Sequence, residues 1–140
     1  MIARRDNWPD LLAAYIEKRR NTPFAWGGND CCMFGADWIR EATDVDPAAV
    51  LRGTYSTALG GMRLINEHGG MVGIMQRFIQ PFGFEEISAG SASRGDIIVR
   101  DCGLGDAAGI VIGFNATFVG KGGLIFANLS DGVESRFWKI

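Results

Sequence analysis

The residues best suited to chemistry lie in one stretch, FAWGGNDCCMF at 24–34. Two aromatics, a Gly-Gly turn and Asn-Asp lead straight into a pair of cysteines. From Cys31 onward Met33, Phe34, Trp38, Ile39 and Ala42 alternate with Asp37, Arg40 and Glu41 at helical spacing. The pattern predicts a tight loop feeding the first turn of a helix over 31–43. A thiol placed there meets unpaired backbone N–H groups and the positive end of the helix dipole, which favour the nucleophilic thiolate. Cys31 is therefore the candidate nucleophile and Asp30 the helix cap. Trp26, Gly27 and Gly28 shape the approach of backbone to the helix end. Cys32 points elsewhere and reads as core, and Cys102 as a stray thiol.

A cysteine nucleophile needs a base, usually a histidine held by a third polar group. The sequence has one histidine, His68 in NEHGGM. Its position predicts a cation at a helix C-terminus rather than a catalytic base. Asp96 and Asp106 are other possible bases, but a carboxylate activates a thiol weakly unless its pKa is raised. One histidine and cysteines without CxxC spacing give no metal constellation, and no cofactor motif is present. GKGG at 120–123 lies between two strand patterns and reads as a hairpin turn, not a phosphate loop.

The elements that position these residues follow from periodicity and punctuation. Helices are predicted over 8–20, 31–43, from Ala58 to His68-Gly69-Gly70, and over 71–80 before Pro81, with Asn7, Asp30 and Ser56 or Thr57 as N-caps. Strand-length runs follow at 82–87, 96–100, 107–113, 115–119, 124–129 and 134–139, separated by Gly, Asp and Asn turns. Phe137 and Trp138 read as core side chains of the last strand. Helices first, about 8–80, and strands second, about 82–139, predict one α+β domain over 1–140 with a mostly antiparallel sheet.

Composition narrows the function classes. Of 140 residues, 47% are hydrophobic and 21% charged, which is globular rather than disordered. A net charge of −2 gives no electrostatic case for nucleic acid. No apolar run approaches the ~18 residues of a membrane span, and the opening lacks the apolar region of a secretory signal. An odd number of cysteines, two of them adjacent, suits a reduced protein made in a cytoplasm.

FAWGGNDC followed by a helix, then GDIIV, AAGIVIG and LIFAN, resembles the layout of NlpC-type papain-like cysteine peptidases. These are bacterial cell-wall hydrolases also found in phage tail-tip proteins. The resemblance covers 24 to about 129. It maps Asp30-Cys31 onto the nucleophile and Gly95-Asp96-Ile97-Ile98 onto the second motif. Ala107 falls on the family's histidine, and the third polar position falls near Phe126. Trp26, Gly27, Gly28, Asp96, Ala107 and Phe126 are thus expected to line the ancestral cleft. FAWGGNDCC, DPAAVLRGTYST and the Gly69-Gly70 break resemble a phage- and prophage-associated group of this fold. That likeness implies a tail-tip or tail-assembly protein with a degenerate peptidase fold, made in the host cytoplasm and carried in the virion tail. Its partners would be other phage tail proteins and peptidoglycan. Without the family base the expectation leans against an enzyme. The alternatives are an active cysteine hydrolase or amidase using His68 or an acidic residue as base, and a non-catalytic peptidoglycan binder.

Overall fold

The computed structural model describes residues 2–103 and 105–140. It is α+β: four helices, then a six-stranded antiparallel sheet. The helices are α1 (Trp8–Arg19), α2 (Cys31–Thr43), α3 (Ala58–Glu67) and α4 (Gly70–Ile74). The strands are β1 (Glu86–Ile87), β2 (Ile97–Asp101), β3 (Asp106–Val111), β4 (Asn115–Gly120), β5 (Gly123–Asn128) and β6 (Ser135–Trp138). Their order in the sheet is β1-β6-β2-β3-β4-β5.

The centre of the molecule is α2, buried on almost every side through Cys32, Met33, Phe34, Gly35, Ala36, Trp38, Ile39 and Ala42. Gly35 and Ala36 are small enough to bring the helix down onto the sheet: a Cβ at Gly35 would sit 3.5 Å from the Ile97 side chain. Two hydrogen bonds fix its position. Tyr15 Oη donates to the Phe34 carbonyl at 2.6 Å, and Trp38 Nε1 donates to the Gly95 carbonyl at 2.8 Å. The one buried charge of α2, Asp37, is held by Arg19 and Arg52, each at 2.7 Å. It ties α1 and the 46–52 segment to the central helix.

The sheet alternates sides as an antiparallel sheet must. Ile97, Val99, Ala108, Ile110 and Trp138 join the helical core. Ile98, Val111, Ala116, Phe118 and Phe137 form a smaller cluster on the opposite face. Phe137 and Trp138 are thus both core residues, in different cores.

Several local expectations are corrected. Asn7 does not cap α1 through its side chain. The fourth helix stops being α-helical at Ile74 and continues as a π turn over Met75–Ile79 and a 3₁₀ turn over Gln80–Phe82. Gly83, at φ 95°, ends that run, so the first strand shrinks from 82–87 to Glu86–Ile87. No helix among the described residues is long and apolar enough to cross a membrane.

Candidate functional site

The loop before α2 is closed by its own side chains. Ala25 and Asn29 exchange backbone hydrogen bonds of 3.2 and 2.8 Å. Asn29 Nδ2 donates to the carbonyls of Thr22 and Pro23, while its Oδ1 accepts from Arg19 at 2.9 Å. Gly27 sits at φ 83°, and a Cβ there would lie 2.3 Å from the Tyr55 carbonyl oxygen, so no other residue fits without moving the chain. Gly28 has neither constraint. The turn therefore requires one glycine of the pair.

Asp30 is the centre of this corner. It is 1% exposed and is the N-cap of α2. Its carboxylate accepts from Met33 N–H at 2.8 Å, from Gly27 N–H at 2.9 Å and from the Tyr55 hydroxyl. The first of these satisfies an orphan donor of the helix start. Tyr55 belongs to the RGTY segment, so that segment and the Asp-Cys motif, far apart in sequence, meet here. Burial and this bond to Asp30 raise the Tyr55 hydroxyl's pKa.

Cys31 stands next to this carboxylate but receives little activation. Its thiol lies 3.9 Å from Met71 Sδ. Burial pushes its pKa up from 9.0 to about 11; backbone N–H groups, first that of Ala108, pull the other way, and the Asp30 charge adds to the rise. Desolvation thus wins over the helix start at this cysteine. Cys32 is buried beside it and raised further, again chiefly by desolvation.

A cleft of about 440 Å³ opens over Cys31. Phe24 and Trp26, edge to face at 4.9 Å, form one wall, and Met62, Ile65 and Asn66 of α3 form another. Met71 lies at its base, and Asp106 at the start of β3 brings in a carboxylate.

Of the six residues expected to line the cleft, Trp26 does; Gly27 and Gly28 belong to the turn behind it, and Asp96, Ala107 and Phe126 lie elsewhere. Asp96 is fully buried away from the cleft. It accepts from Arg4 Nη2 at 2.9 Å, Ser93 N–H at 2.9 Å, Ile140 N–H at 3.1 Å and Lys139 Nζ at 3.3 Å, so it clamps segments from both ends of the sequence. Burial lowers the Arg4 pKa, and the Asp96 charge offsets that. Ala107 pairs with Arg100 and packs into the cluster on the far face of the sheet. On β3 it is Ala108 and Asp106, one residue either side, that face Cys31, because a single step along a strand reverses the face. Phe126 is 44% exposed on β5, at the sheet edge, under the Arg20 guanidinium at 5.6 Å.

His68 does not line the cleft. Its Nδ1 lies 3.0 Å from Arg77 Nη1, and its ring meets Phe78 edge to face at 4.9 Å. Arginine has only donors, so in this contact Nδ1 is the acceptor. His68 stands at the C-terminus of α3, where the sequence placed it. No three His, Cys, Asp or Glu side chains among the described residues gather to hold a metal ion.

The fold and site define an α+β domain with a cysteine at the start of its buried central helix, opening onto an aromatic-walled cleft. The chain belongs to the DUF6950 family, a domain of unknown function, which matches residues 3–140. No curated protein matches it. Among solved structures it is similar to RipD from Mycobacterium tuberculosis, described as a non-catalytic NlpC/p60 domain protein with an adaptation to peptidoglycan-binding function. The identity is 14%, the match covers 97% of this chain and 99% of that one, and the TM-score is 0.48.

Proposed function

We propose that this chain is a degenerate NlpC-like domain of a phage or prophage tail, whose cleft binds peptidoglycan peptides without cleaving them. The observation that carries this reading is the environment of Cys31. Its thiol is raised to about 11, faces the Met71 thioether, and shares its cleft with no imidazole. A papain-like cycle needs a thiolate at neutral pH and a proton for the leaving group, and loss of the base removes both. The order of motifs supports the NlpC-like assignment: the Asp-Cys turn, the buried helix and the Gly-Asp and Ala-Gly strands follow one another as that family's parts do. The aromatic wall and the amide of Asn66 suit a peptide ligand.

Asp106 is the observation that keeps a hydrolase reading in view, because it alone places an acidic side chain in the cleft with Cys31. A carboxylate is far less basic than the thiolate it would have to generate, so it supports binding better than catalysis.

Retention on purified sacculi tests the proposal. The chain is expected to co-sediment, Trp26→Ala to lose that retention, and the soluble fraction to contain no new muropeptides. Release of muropeptide fragments that stops in Cys31→Ser would overturn it. The tail assignment is tested separately by mass spectrometry of purified particles, where the chain is expected among the tail proteins.

A further inference from the structure

We propose that residues 56–69, carrying α3, form a flap that swings over the Cys31 cleft, anchored at both ends to the Asp30–Cys31 corner itself. On the near side Tyr55 is fixed, since its hydroxyl donates to Asp30 and its carbonyl packs against Gly27. On the far side Met71 is 1% exposed with its sulfur against the Cys31 thiol. Between those anchors only Gly61 is fully buried. Leu64 and Ile65 are half-buried, and Leu59 and Met62 are 60% and 56% exposed. A segment with so little buried surface opens at a free energy well below that of global unfolding.

The hinges are visible. Gly69 and Gly70 both adopt left-handed backbone, at φ 84° and 83°. Two successive residues free of Cβ restriction absorb large backbone changes. At the other end Ser56 and Thr57 are exposed, and Thr57, in extended conformation, caps α3 through Gly60 N–H at 3.1 Å, the bond whose loss opens the helix from this end. Besides the half-buried Leu64 and Ile65, two small contacts hold the closed position. Gly61 lies flat against Trp26, where a Cβ would come within 2.4 Å of the ring. His68 latches the end of α3 onto Phe78 and Arg77. Because Met62, Ile65 and Asn66 ride on the flap, opening widens the cleft and bares the aromatic wall. The flap gives His68, which takes no part in the cleft, a defined task.

As a gate for ligand entry the flap rests on the binding reading above, but its motion does not. Native-state hydrogen exchange on the full chain, across a denaturant series below unfolding, tests the motion. Amides of Gly61–Glu67 are expected to exchange through an opening with little denaturant dependence, while those of Phe34–Ile39 in α2 exchange only by global unfolding. His68→Ala is expected to speed the flap amides about three- to tenfold, the worth of one aromatic contact, and to leave α2 amides unchanged. Iodoacetamide labelling of Cys31 in a Cys102→Ser background is expected to accelerate by the same factor in His68→Ala. Flap and α2 amides exchanging together at every denaturant concentration would overturn the flap. Accelerated amides with unchanged Cys31 labelling would overturn its role as a gate. Failure of sacculus binding alters neither measurement, so the two proposals fail separately.

Discussion

Between Thr22 and Met33 the chain closes on itself: Asn29 staples the loop, Gly27 makes room for Tyr55, and Asp30 receives three donors. Between Ser56 and Gly69 one residue is fully buried, and the side chains that face the cleft are half out in solvent. The two regions meet where Gly61 lies against Trp26 and where Gly27 approaches the backbone at Tyr55 and Ser56. The contrast separates what holds the fold from what serves the cleft. The polar investment surrounds Asp30, the residue beside the thiol, while the thiol itself receives only backbone N–H groups, first that of Ala108. The Asp-Cys turn thus has a structural role that needs no reactive thiol.

Replacing Asp30 breaks the comparison most severely. Asp30→Ala leaves Gly27 N–H, Met33 N–H and the Tyr55 hydroxyl without their acceptor in a buried site, a loss of about 3–5 kcal/mol in urea unfolding. Asp30→Asn keeps an acceptor oxygen and is expected to lose clearly less. A cost for Asp30→Ala within about 0.5 kcal/mol, the range of an ordinary surface change, would contradict its central place.

The glycines sharpen the contrast next. Gly27→Ala and Gly61→Ala meet nearly the same obstruction, 2.3 Å from the Tyr55 carbonyl and 2.4 Å from the Trp26 ring. Gly27 stands in fixed backbone at positive φ, so its substitution is expected to cost about 2–3 kcal/mol in thermal or chemical unfolding. Gly61 rides on the flap, which yields, so its cost is expected to be about 1 kcal/mol or less. Equal costs would mean that the flap is as rigid as the loop. Gly28→Ala, facing open space, is expected within about 0.5 kcal/mol of the parent.

The smallest effect is one of pH. Burial raises the Cys31 thiol from its ordinary 9.0 to about 11 in the folded chain. As pH rises the unfolded thiol loses its proton first, so the folded state is disfavoured through that interval. The stability contributed by this half-buried, neutral thiol is complete below 9 and is lost as pH climbs towards 11. The stability difference between the parent and Cys31→Ala is therefore expected to shrink across that window in denaturant titrations, and a constant difference would contradict the shift.

Much of this was legible in the sequence where the signal is local. Asp30 before an amphipathic run is a helix cap in any context, and the β-branched runs between Gly and Asn turns became the antiparallel sheet. What escaped depends on partners far apart in the chain. Asp96 is bound by Arg4 and Lys139, which no spacing rule connects to it. A pattern of letters places Ala107 on the family's histidine, but strand parity turns Ala107 away from Cys31 and brings Asp106 and Ala108 to that face. Whether the helix start activates the thiol was decided by burial, which the loop sequence does not reveal. A clue to the flap was present: a helix carrying apolar Leu59 and Met62 on exposed positions has GG at 60–61 within it and GG at 69–70 just after it.

The proposed binding role requires that Cys31 stay protonated in its cleft at neutral pH. The pH dependence of iodoacetamide labelling at Cys31, followed peptide by peptide in Cys102→Ser, measures it directly. The rate is expected to climb with pH and to level only near 11. A plateau already reached below about pH 7, the mark of an activated thiolate, would contradict it.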